Sequence, residues 1–322
     1  MNSTITCSIR VRDTSPSIVR RFVIVAALLL SSCTSTPVID DRPAIRIGAG
    51  ADTESQLIAE IMVVAFAQAN LPAEVRTLSG NVAARRALLD NRIDIRVAYT
   101  GESWLDVLAR PDPPSSPRDS FTAVRDFDQN LPVIWLTPPF GTGFSEPPAN
   151  ATFALVIDPN SELGPLDTMS QLASVLSVNP EAALCVDDEF RERPDGLRSL
   201  LAVYSVRSNQ PVIPATPQEA VLAVAAGECV AGLTTTTDGT AWLLGLRPLR
   251  DDLGVFPAFI VVFQMRADLE QRIPEVTAIL APLTSGLTTE TLGQLNARIV
   301  AGESLRDTAQ DALVILTEQS GS

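Results

Sequence analysis

The side chains that could do chemistry are carboxylates, hydroxyls, arginines and four cysteines, because the 322 residues include no histidine and no lysine. Histidine is the commonest general base and lysine is the Schiff-base residue, so both kinds of catalysis are excluded, as is any Ser-His-Asp arrangement. A zinc site would need cysteines or carboxylates alone. Catalysis by paired carboxylates remains a formal option, but nothing in their spacing points to it. We therefore expect a protein that is not an enzyme, with no cofactor and no metal.

The surface charge narrows the class of partner. The chain has a net charge of −14, and removal of the first 32 residues takes away four arginines and one aspartate, which leaves about −17. Such a surface repels nucleic acid and gains no attraction from anionic lipid. It admits a cationic or zwitterionic solute more easily than an anion, although the acidity could also serve solubility alone.

The N-terminus has the pattern of a secretory signal. Four arginines precede a nine-residue apolar run at 22–30, which is shorter than the roughly 20 residues of a transmembrane helix. Leu30-Ser31-Ser32-Cys33 then resembles a bacterial lipobox, in which cleavage before the cysteine accompanies its lipidation. The alternative is an ordinary signal peptide with an incidental cysteine. We predict a signal peptide at 1–32, lipid on Cys33 and a polar tether at 33–43.

Two cysteines remain for the folded part. Cys7 leaves with the signal and Cys33 carries lipid, so Cys185 and Cys229 form an even pair in an exported protein. Such a pair predicts one disulfide, and two buried free thiols are the alternative.

The elements that position these side chains follow a strand–helix alternation. Strands are predicted at 44–48, 75–78 and 93–99, with helices between them, the first capped by Thr53. This pattern is typical of a parallel sheet with helical crossovers. A second unit of the same kind spans 152–234, the apolar run at 255–265 crosses back, and the tail from 267 is helical. About 280 mature residues suggest two lobes.

Seven segments, in order, resemble the quaternary-ammonium substrate-binding proteins of osmoprotectant ABC importers, the glycine betaine/choline family. The resemblance covers residues 44–316, and EFRERPDGL followed by Tyr204 is its most specific match. The other matching segments are IGAGADTESQLIAEI, GNVAARRALLDNRIDIRVAYTG, NATFAL, TTDG, FPAF and PEVTAILAPL with TTETLGQLNARI.

The resemblance implies an α/β fold of the type II periplasmic-binding-protein kind. Each lobe would hold a mixed, mostly parallel sheet flanked by helices, with two hinge crossings near 150–152 and 255–259. Lobe I would comprise 44–150 plus 257–322, and lobe II would comprise 151–256. The lobes would close on the ligand by hinge rotation.

The resemblance also implies an aromatic box around a quaternary ammonium group, which ring faces attract through cation–π interaction. The matching positions are Tyr99, Phe153 and Phe259, with Tyr204 matching less closely. Two of them are Phe where the family usually has Tyr, so a hydroxyl is lost. The alternative for Phe153 and Phe259 is that they are core residues on the hinge strands.

The part of the family's site that holds a ligand carboxylate is altered here. Gly50 stands where the family has a lysine, and Glu102 stands where it has a threonine, next to Thr100 and Gly101. Only Arg193 remains, and Asp52 lies nearby in the first loop. Like-charge repulsion then disfavours a carboxylate. We expect choline or another polar cation or zwitterion to bind better than glycine betaine, unless Glu102 and Asp52 turn outward or are neutralised by Arg193.

The function predicted from the sequence is that of an extracytoplasmic solute receptor. It would be a monomer anchored to the outer face of the cell membrane by lipid on Cys33, and it would deliver an onium solute to an ABC permease and its ATPase. The alternatives are a ligand-sensing or interaction lipoprotein without transport, a binding protein for an unrelated polar solute, and an enzyme on the same type of fold, against which the missing residue types argue.

Overall fold

The computed structural model describes residues 43–141, 143–193 and 196–320, with the Ser320 side chain left out. The predicted signal peptide and Cys33 lie outside these residues, as does the tether up to residue 42. The described strands are β1 (Ile45–Ala49), β2 (Ala73–Thr77), β3 (Ile95–Tyr99), β4 (Val133–Leu136), β5 (Phe153–Ile157), β6 (Leu184–Val186), β7 (Val212–Pro214), β8 (Ala231–Thr235), β9 (Arg247–Pro248) and β10 (Val261–Arg266).

The helices lie between and after these strands. They are α1 (Thr53–Gln68), α2 (Asn81–Leu89), α3 (Thr100–Glu102), which continues into a π-helical turn at Ser103–Val107, α4 (Pro117–Phe127), α5 (Met169–Val178), α6 (Asp188–Glu192), α7 (Leu197–Val203), α8 (Pro217–Ala225), α9 (Gly239–Leu243), α10 (Ala267–Arg272), α11 (Val276–Gly286), α12 (Thr289–Val300) and α13 (Leu305–Ser320).

Two mixed sheets of five strands each organise the described residues. Their orders are β2-β1-β3-β10-β4 and β7-β6-β8-β5-β9. In each sheet four strands point the same way and one strand opposes them, β10 in the first and β5 in the second. The opposing strand is the one that follows a crossing between the sheets, so the prediction of mixed, mostly parallel sheets is confirmed.

The core of the first sheet forms because its central strands are buried on both faces. All five residues of β3 are buried, and α1, α11 and α13 cover one face while α2 and α4 cover the other. Such burial is what a strand inside a doubly covered sheet requires.

The second sheet has its own core and a covalent link. Cys185 in β6 and Cys229, which lies just before β8, form a disulfide with their Cα atoms 5.8 Å apart. Both cysteines are buried. The predicted pairing is confirmed, and the alternative of two free thiols is wrong.

Several predicted boundaries are wrong. Asp52, and not Thr53, caps α1, because its Oδ1 accepts the backbone N–H of Ser55 at 2.8 Å while Thr53 is already helical. The predicted strand at 93–99 begins at Ile95. The apolar run at 255–265 crosses between the sheets over residues 255–260 and enters the first sheet at Val261.

Two searches of the described residues returned nothing. Among them, no helix combines the length and the apolar character that a membrane span requires. Within the same ranges, no group of three or more cysteine, aspartate or glutamate side chains is arranged to hold a metal ion.

Candidate functional site

The site lies where the two chain crossings run side by side between the sheets. The N–H of Ala151 donates to the carbonyl of Phe259 at 3.0 Å, and the N–H of Phe259 donates to Asn150 Oδ1 at 2.8 Å. The Thr152 hydroxyl donates to the carbonyl of Pro257. These hydrogen bonds hold the amino end of β5 and the amino end of β10 beside the carboxyl end of β3, so residues from both sheets meet there.

Tyr99, predicted to face the ligand, ends β3 and is buried at its hydroxyl. That hydroxyl donates to Glu54 Oε1 at 2.7 Å and lies 3.4 Å from Ser55 Oγ. Burial, together with the charge of Glu54, raises the pKa of Tyr99 well above its ordinary value. The phenol is therefore neutral and fixed in direction by its acceptor.

Glu54 is a site residue that sequence reasoning missed. Besides Tyr99, its carboxylate accepts from Asn296 Nδ2 at 2.8 Å, and the same Nδ2 donates to the carbonyl of Thr237 at 2.9 Å. Burial raises the pKa of Glu54 most strongly, while hydrogen bonds from Thr237, Tyr99 and Asn296 oppose that rise. We call Glu54, Tyr99, Asn296 and Thr237 the Glu54 cluster, and it joins α1, β3 and α12 to the turn after β8.

Glu102 stands at the end of α3 and is half-buried. Burial, followed by the negative charges of Asp106, Asp52 and Glu54, raises its pKa to about 7, and Arg96 opposes that rise. At neutral pH its carboxyl group is thus divided between the charged and neutral forms. The charge that this position contributes depends on pH.

Arg96, three residues before Tyr99 in β3, is a buried cation whose positive charge acts on Glu102. Its Nε donates to Gln264 Oε1 at 2.8 Å and its Nη1 donates to Asn81 Oδ1 at 2.6 Å. Burial lowers the pKa of Arg96 to about 10. Because Arg96 is fully buried, it offsets the carboxylate charge without offering a contact to a solute.

Two of the predicted ligand residues have structural partners instead. Asp52 is exposed and caps α1. The Thr100 hydroxyl is buried, donates to the carbonyl of Ala258 at 3.2 Å and accepts the N–H of Ile260 at 3.1 Å. Thr100 therefore connects β3 to the crossing. Asp52 contributes negative charge that acts on Glu102. A direct contact of either with ligand stays a prediction.

Phe259 lies directly against the chain turn after Tyr99. A Cβ atom at Gly101 would lie 2.6 Å from the ring carbons of Phe259, closer than any real contact. Glycine is therefore needed there for the ring to pack. The ring is half-buried and also packs against the core of the first sheet. A contact of Phe259 with ligand stays a prediction.

Phe153 belongs to the second sheet and joins two further rings. Its centroid lies 5.6 Å from Phe190 and 6.0 Å from Phe256, and those two rings are 6.0 Å apart. We call these three residues the phenylalanine cluster. Phe153 is half-buried while Phe190 and Phe256 are buried, so Phe153 is the member that presents a ring to the space between the sheets.

An open cavity of about 530 Å³ lies next to this ring. Of the described residues predicted to bind ligand, only Phe153 lines it. Its other walls come from both sides of the crossing and include Phe144, Asn150, Asp251, Asp252 and Phe256.

Tyr204 is placed one layer behind this wall. It is buried in the core of the second sheet, where its hydroxyl donates to Asp251 and accepts the N–H of Leu253 at 3.1 Å. Burial and the hydrogen bond to Asp251 raise the pKa of Tyr204. Its visible role is to orient a carboxylate of the cavity wall, and a stacking contact with ligand stays a prediction.

Arg193 ends α6 and is half-buried. Its two following residues are outside the described part of the chain. Its role as the remaining carboxylate anchor stays a prediction.

The chain matches one family model over residues 43–314, described as the substrate binding domain of ABC-type glycine betaine transport system. A glycine-betaine-binding protein of Pseudomonas aeruginosa is 30% identical over 263 residues, which cover 79% of this chain and 82% of that protein. A carnitine transport binding protein, OpuCC, of Listeria monocytogenes is 25% identical over 281 residues, covering 85% and 87%.

A solved structure agrees with these matches. Apo YehZ from Escherichia coli superimposes with a TM-score of 0.75 at 25% identity and covers 85% of this chain and 98% of that one. The predicted two-lobed α/β fold of the type II periplasmic-binding-protein kind is thereby confirmed.

Proposed function

The chain belongs to the family of substrate-binding domains of ABC-type glycine betaine transport systems, and from that premise we propose that it captures a quaternary-ammonium solute and delivers it to an ABC importer. The observation that carries the proposal is the Tyr99 phenol, which donates to the half-buried Glu54 carboxylate in a region where Asp52 and Glu102 add negative charge. A quaternary ammonium cannot donate ordinary hydrogen bonds, so ring faces and nearby negative charge are what bind it.

The local charge supports a cation over a betaine. The lysine that the resemblance implies at position 50 is a glycine, and a Cβ there would collide with the Asp52 carboxylate. The negative charge of Asp52 raises the pKa of both Glu54 and Glu102, and the charge of Glu54 also raises the pKa of Glu102, which indicates a concentration of negative charge. A ligand carboxylate would meet repulsion in this place, so we infer a preference for choline-like cations over glycine betaine.

A thermal-shift panel tests the ligand class. Choline, carnitine, glycine betaine and tetramethylammonium are compared at equal concentration with 3,3-dimethylbutan-1-ol, the neutral isostere of choline. We expect choline to raise the melting temperature most and the neutral isostere to raise it least. The largest shift with glycine betaine would contradict the cation preference, and no shift with any onium compound would contradict the proposed function.

The cellular setting completes the proposal. The chain would be extracytoplasmic and anchored by lipid on Cys33, with lobe I at 44–150 plus 257–322 and lobe II at 151–256, and it would act as a monomer without chemical turnover. Labelling with an alkynyl fatty acid should mark the wild-type chain and spare the Cys33→Ser variant. Equal labelling of the two would contradict the anchor.

A further inference from the structure

Glu54 has both carboxylate oxygens engaged by side chains from other elements. Oε1 accepts from the Tyr99 hydroxyl at 2.7 Å and Oε2 accepts from Asn296 Nδ2 at 2.8 Å. The partners come from β3 and α12, which lie 45 and 242 residues along the chain from Glu54. A group surrounded by donors is matched to an ionised carboxylate and leaves a neutral amide with one wrong atom.

Asn296 carries this contact to the second sheet. Its Nδ2 also donates to the carbonyl of Thr237, in the turn after β8, at 2.9 Å. The backbones there are in close contact, because a Cβ at Gly239 would lie 2.6 Å from the carbonyl of Asn296. On the same contact, the Trp242 indole N–H donates to the carbonyl of Thr236 at 2.9 Å, and the ring lies over Gly293.

The hydrogen bond from Tyr99 to a carboxylate changes what its ring offers. A phenol that donates to an anion gains electron density in the ring, and the face of an electron-rich ring attracts a cation more strongly. The acceptor also fixes the direction of the hydroxyl and therefore of the ring. Both effects act on a cation at the ring face and neither acts on an uncharged group of the same shape.

We propose that Glu54 is the positioning and charge-selecting residue of the onium site: it orients the Tyr99 ring, places negative charge behind it and, through Asn296, connects the ring to the contact between α12 and the second lobe. This inference rests on the proposed function. It adds a residue that selects for the charge of the solute by acting through the Tyr99 ring, without contacting the solute itself.

The test compares Glu54→Gln with Glu60→Gln by calorimetry of choline and of 3,3-dimethylbutan-1-ol. Glu60 is a matched control because it lies on the same helix and pairs with Arg306 at 2.6 Å on the surface. We expect Glu54→Gln to raise the dissociation constant of choline at least tenfold, which is the scale of removing one charge near a cation. The dissociation constant of the neutral isostere should change by no more than about twofold. Glu60→Gln should change neither.

A second variant and a spectroscopic readout guard against misfolding. Tyr99→Phe keeps the ring and removes only the donor, and it should weaken choline while making a further Glu54→Gln change less damaging. Because the chain has only two tyrosines, the Tyr204→Phe variant has Tyr99 as its single tyrosine. The intensity ratio of the tyrosine Raman doublet in that variant reports the hydrogen bond from Tyr99 to Glu54, and it should change when Glu54→Gln is added.

The outcomes separate the two proposals. Choline binding that Glu54→Gln and Tyr99→Phe leave unchanged would overturn this inference and leave the proposed function standing. Equal loss of choline and of its neutral isostere in Glu54→Gln would also overturn it, because that result indicates packing and not charge. A wild-type chain that binds no onium compound would overturn the proposed function itself.

Discussion

The first-sheet side and the second-sheet side of the candidate site carry different kinds of side chain. The first-sheet side has the Glu54 carboxylate, which accepts a hydrogen bond from Tyr99, and Glu102, which is partly protonated near neutral pH. The second-sheet side has the phenylalanine cluster, with Asp251 and Asp252 beside it in the cavity wall, and a disulfide between Cys185 and Cys229 elsewhere in the same sheet. The comparison suggests the hypothesis that charge selection resides on the first side, while the rings of the second side serve packing.

The largest expected effect is the loss of stability when the disulfide of the second sheet is removed. Cys185→Ala with Cys229→Ala opens a loop of 44 residues, and the chain-entropy account predicts a loss of about 4 kcal/mol in the free energy of unfolding. Denaturant titration of wild type and double variant, with and without dithiothreitol, measures it. Reductant should destabilise only the wild type, and the folded variant should retain its choline affinity. Lost affinity in the folded variant would break the division between the two sides.

The phenylalanine cluster should also act mainly on stability. Phe190 is buried and packs against both other rings, so Phe190→Ala is expected to cost about 3 kcal/mol in the free energy of unfolding. Phe127→Ala is the control, because Phe127 is half exposed at the end of α4 and should cost much less. If Phe190→Ala leaves stability intact but abolishes choline binding, the cluster is a binding site and not a wall.

Tyr99→Ala sharpens the comparison from the other side. If the ring faces a cation, the variant should lose about 1–2 kcal/mol of choline affinity, or roughly 5- to 30-fold in the dissociation constant. Calorimetry measures this at a temperature where both proteins are folded. An unchanged affinity would remove Tyr99 from the box and place cation binding on the second-sheet side.

The smallest effect concerns the proton on Glu102. Its pKa is raised to about 7, so the carboxyl group is neutral below that pH and charged above it. Choline affinity should therefore fall about threefold to tenfold from about pH 8 to about pH 6, and Glu102→Gln should abolish that dependence. A wild-type pH profile as flat as that of Glu102→Gln would show that this charge does not act on the solute.

The same shift has a consequence for stability. Because the folded-state pKa lies above the ordinary value of 4.5, the protonated form favours the fold, and this contribution is present at low pH and lost as the pH rises through about 7. Glu102→Gln should therefore unfold at a higher temperature than the wild type at about pH 8 and should differ little at about pH 5. Scanning calorimetry at the two pH values measures this difference. A wild type as stable as Glu102→Gln at the higher pH would contradict the shift.

The order of strands and helices could be predicted from the sequence because it depends on the local spacing of apolar residues. The alternation of strands and helices follows from apolar patterning, and the disulfide pair follows from the number of cysteines. The mixed sheets were implied by the family resemblance. Short elements were missed, such as β4, β7 and β9, because two to four residues hold no period. In the run at 255–265, the residues before Val261 stay outside the sheet because the side chains of Asn150 and Thr100 accept the backbone N–H groups of Phe259 and Ile260.

The candidate site was predicted only in part. The family resemblance named Tyr99, Phe153 and Phe259 as ligand residues, which stays a prediction, and it did not indicate Glu54, which accepts the hydrogen bond from Tyr99. Glu54 and Asn296 are 242 positions apart and neither lies in a chemical motif. Tyr204 was assigned to the box, whereas in the structure its hydroxyl serves Asp251. Partners separated this far are set by the tertiary fold, which a single sequence does not record.

The most direct test of the central claim is the ratio of dissociation constants for choline and glycine betaine, measured by calorimetry on the mature chain at about pH 8, where Glu102 is charged. The two ligands share the trimethylammonium group and differ in the carboxylate. An acidic first-sheet side predicts tighter binding of choline by at least about tenfold. Equal or tighter binding of glycine betaine would contradict the account of this cleft as a cation-selecting site.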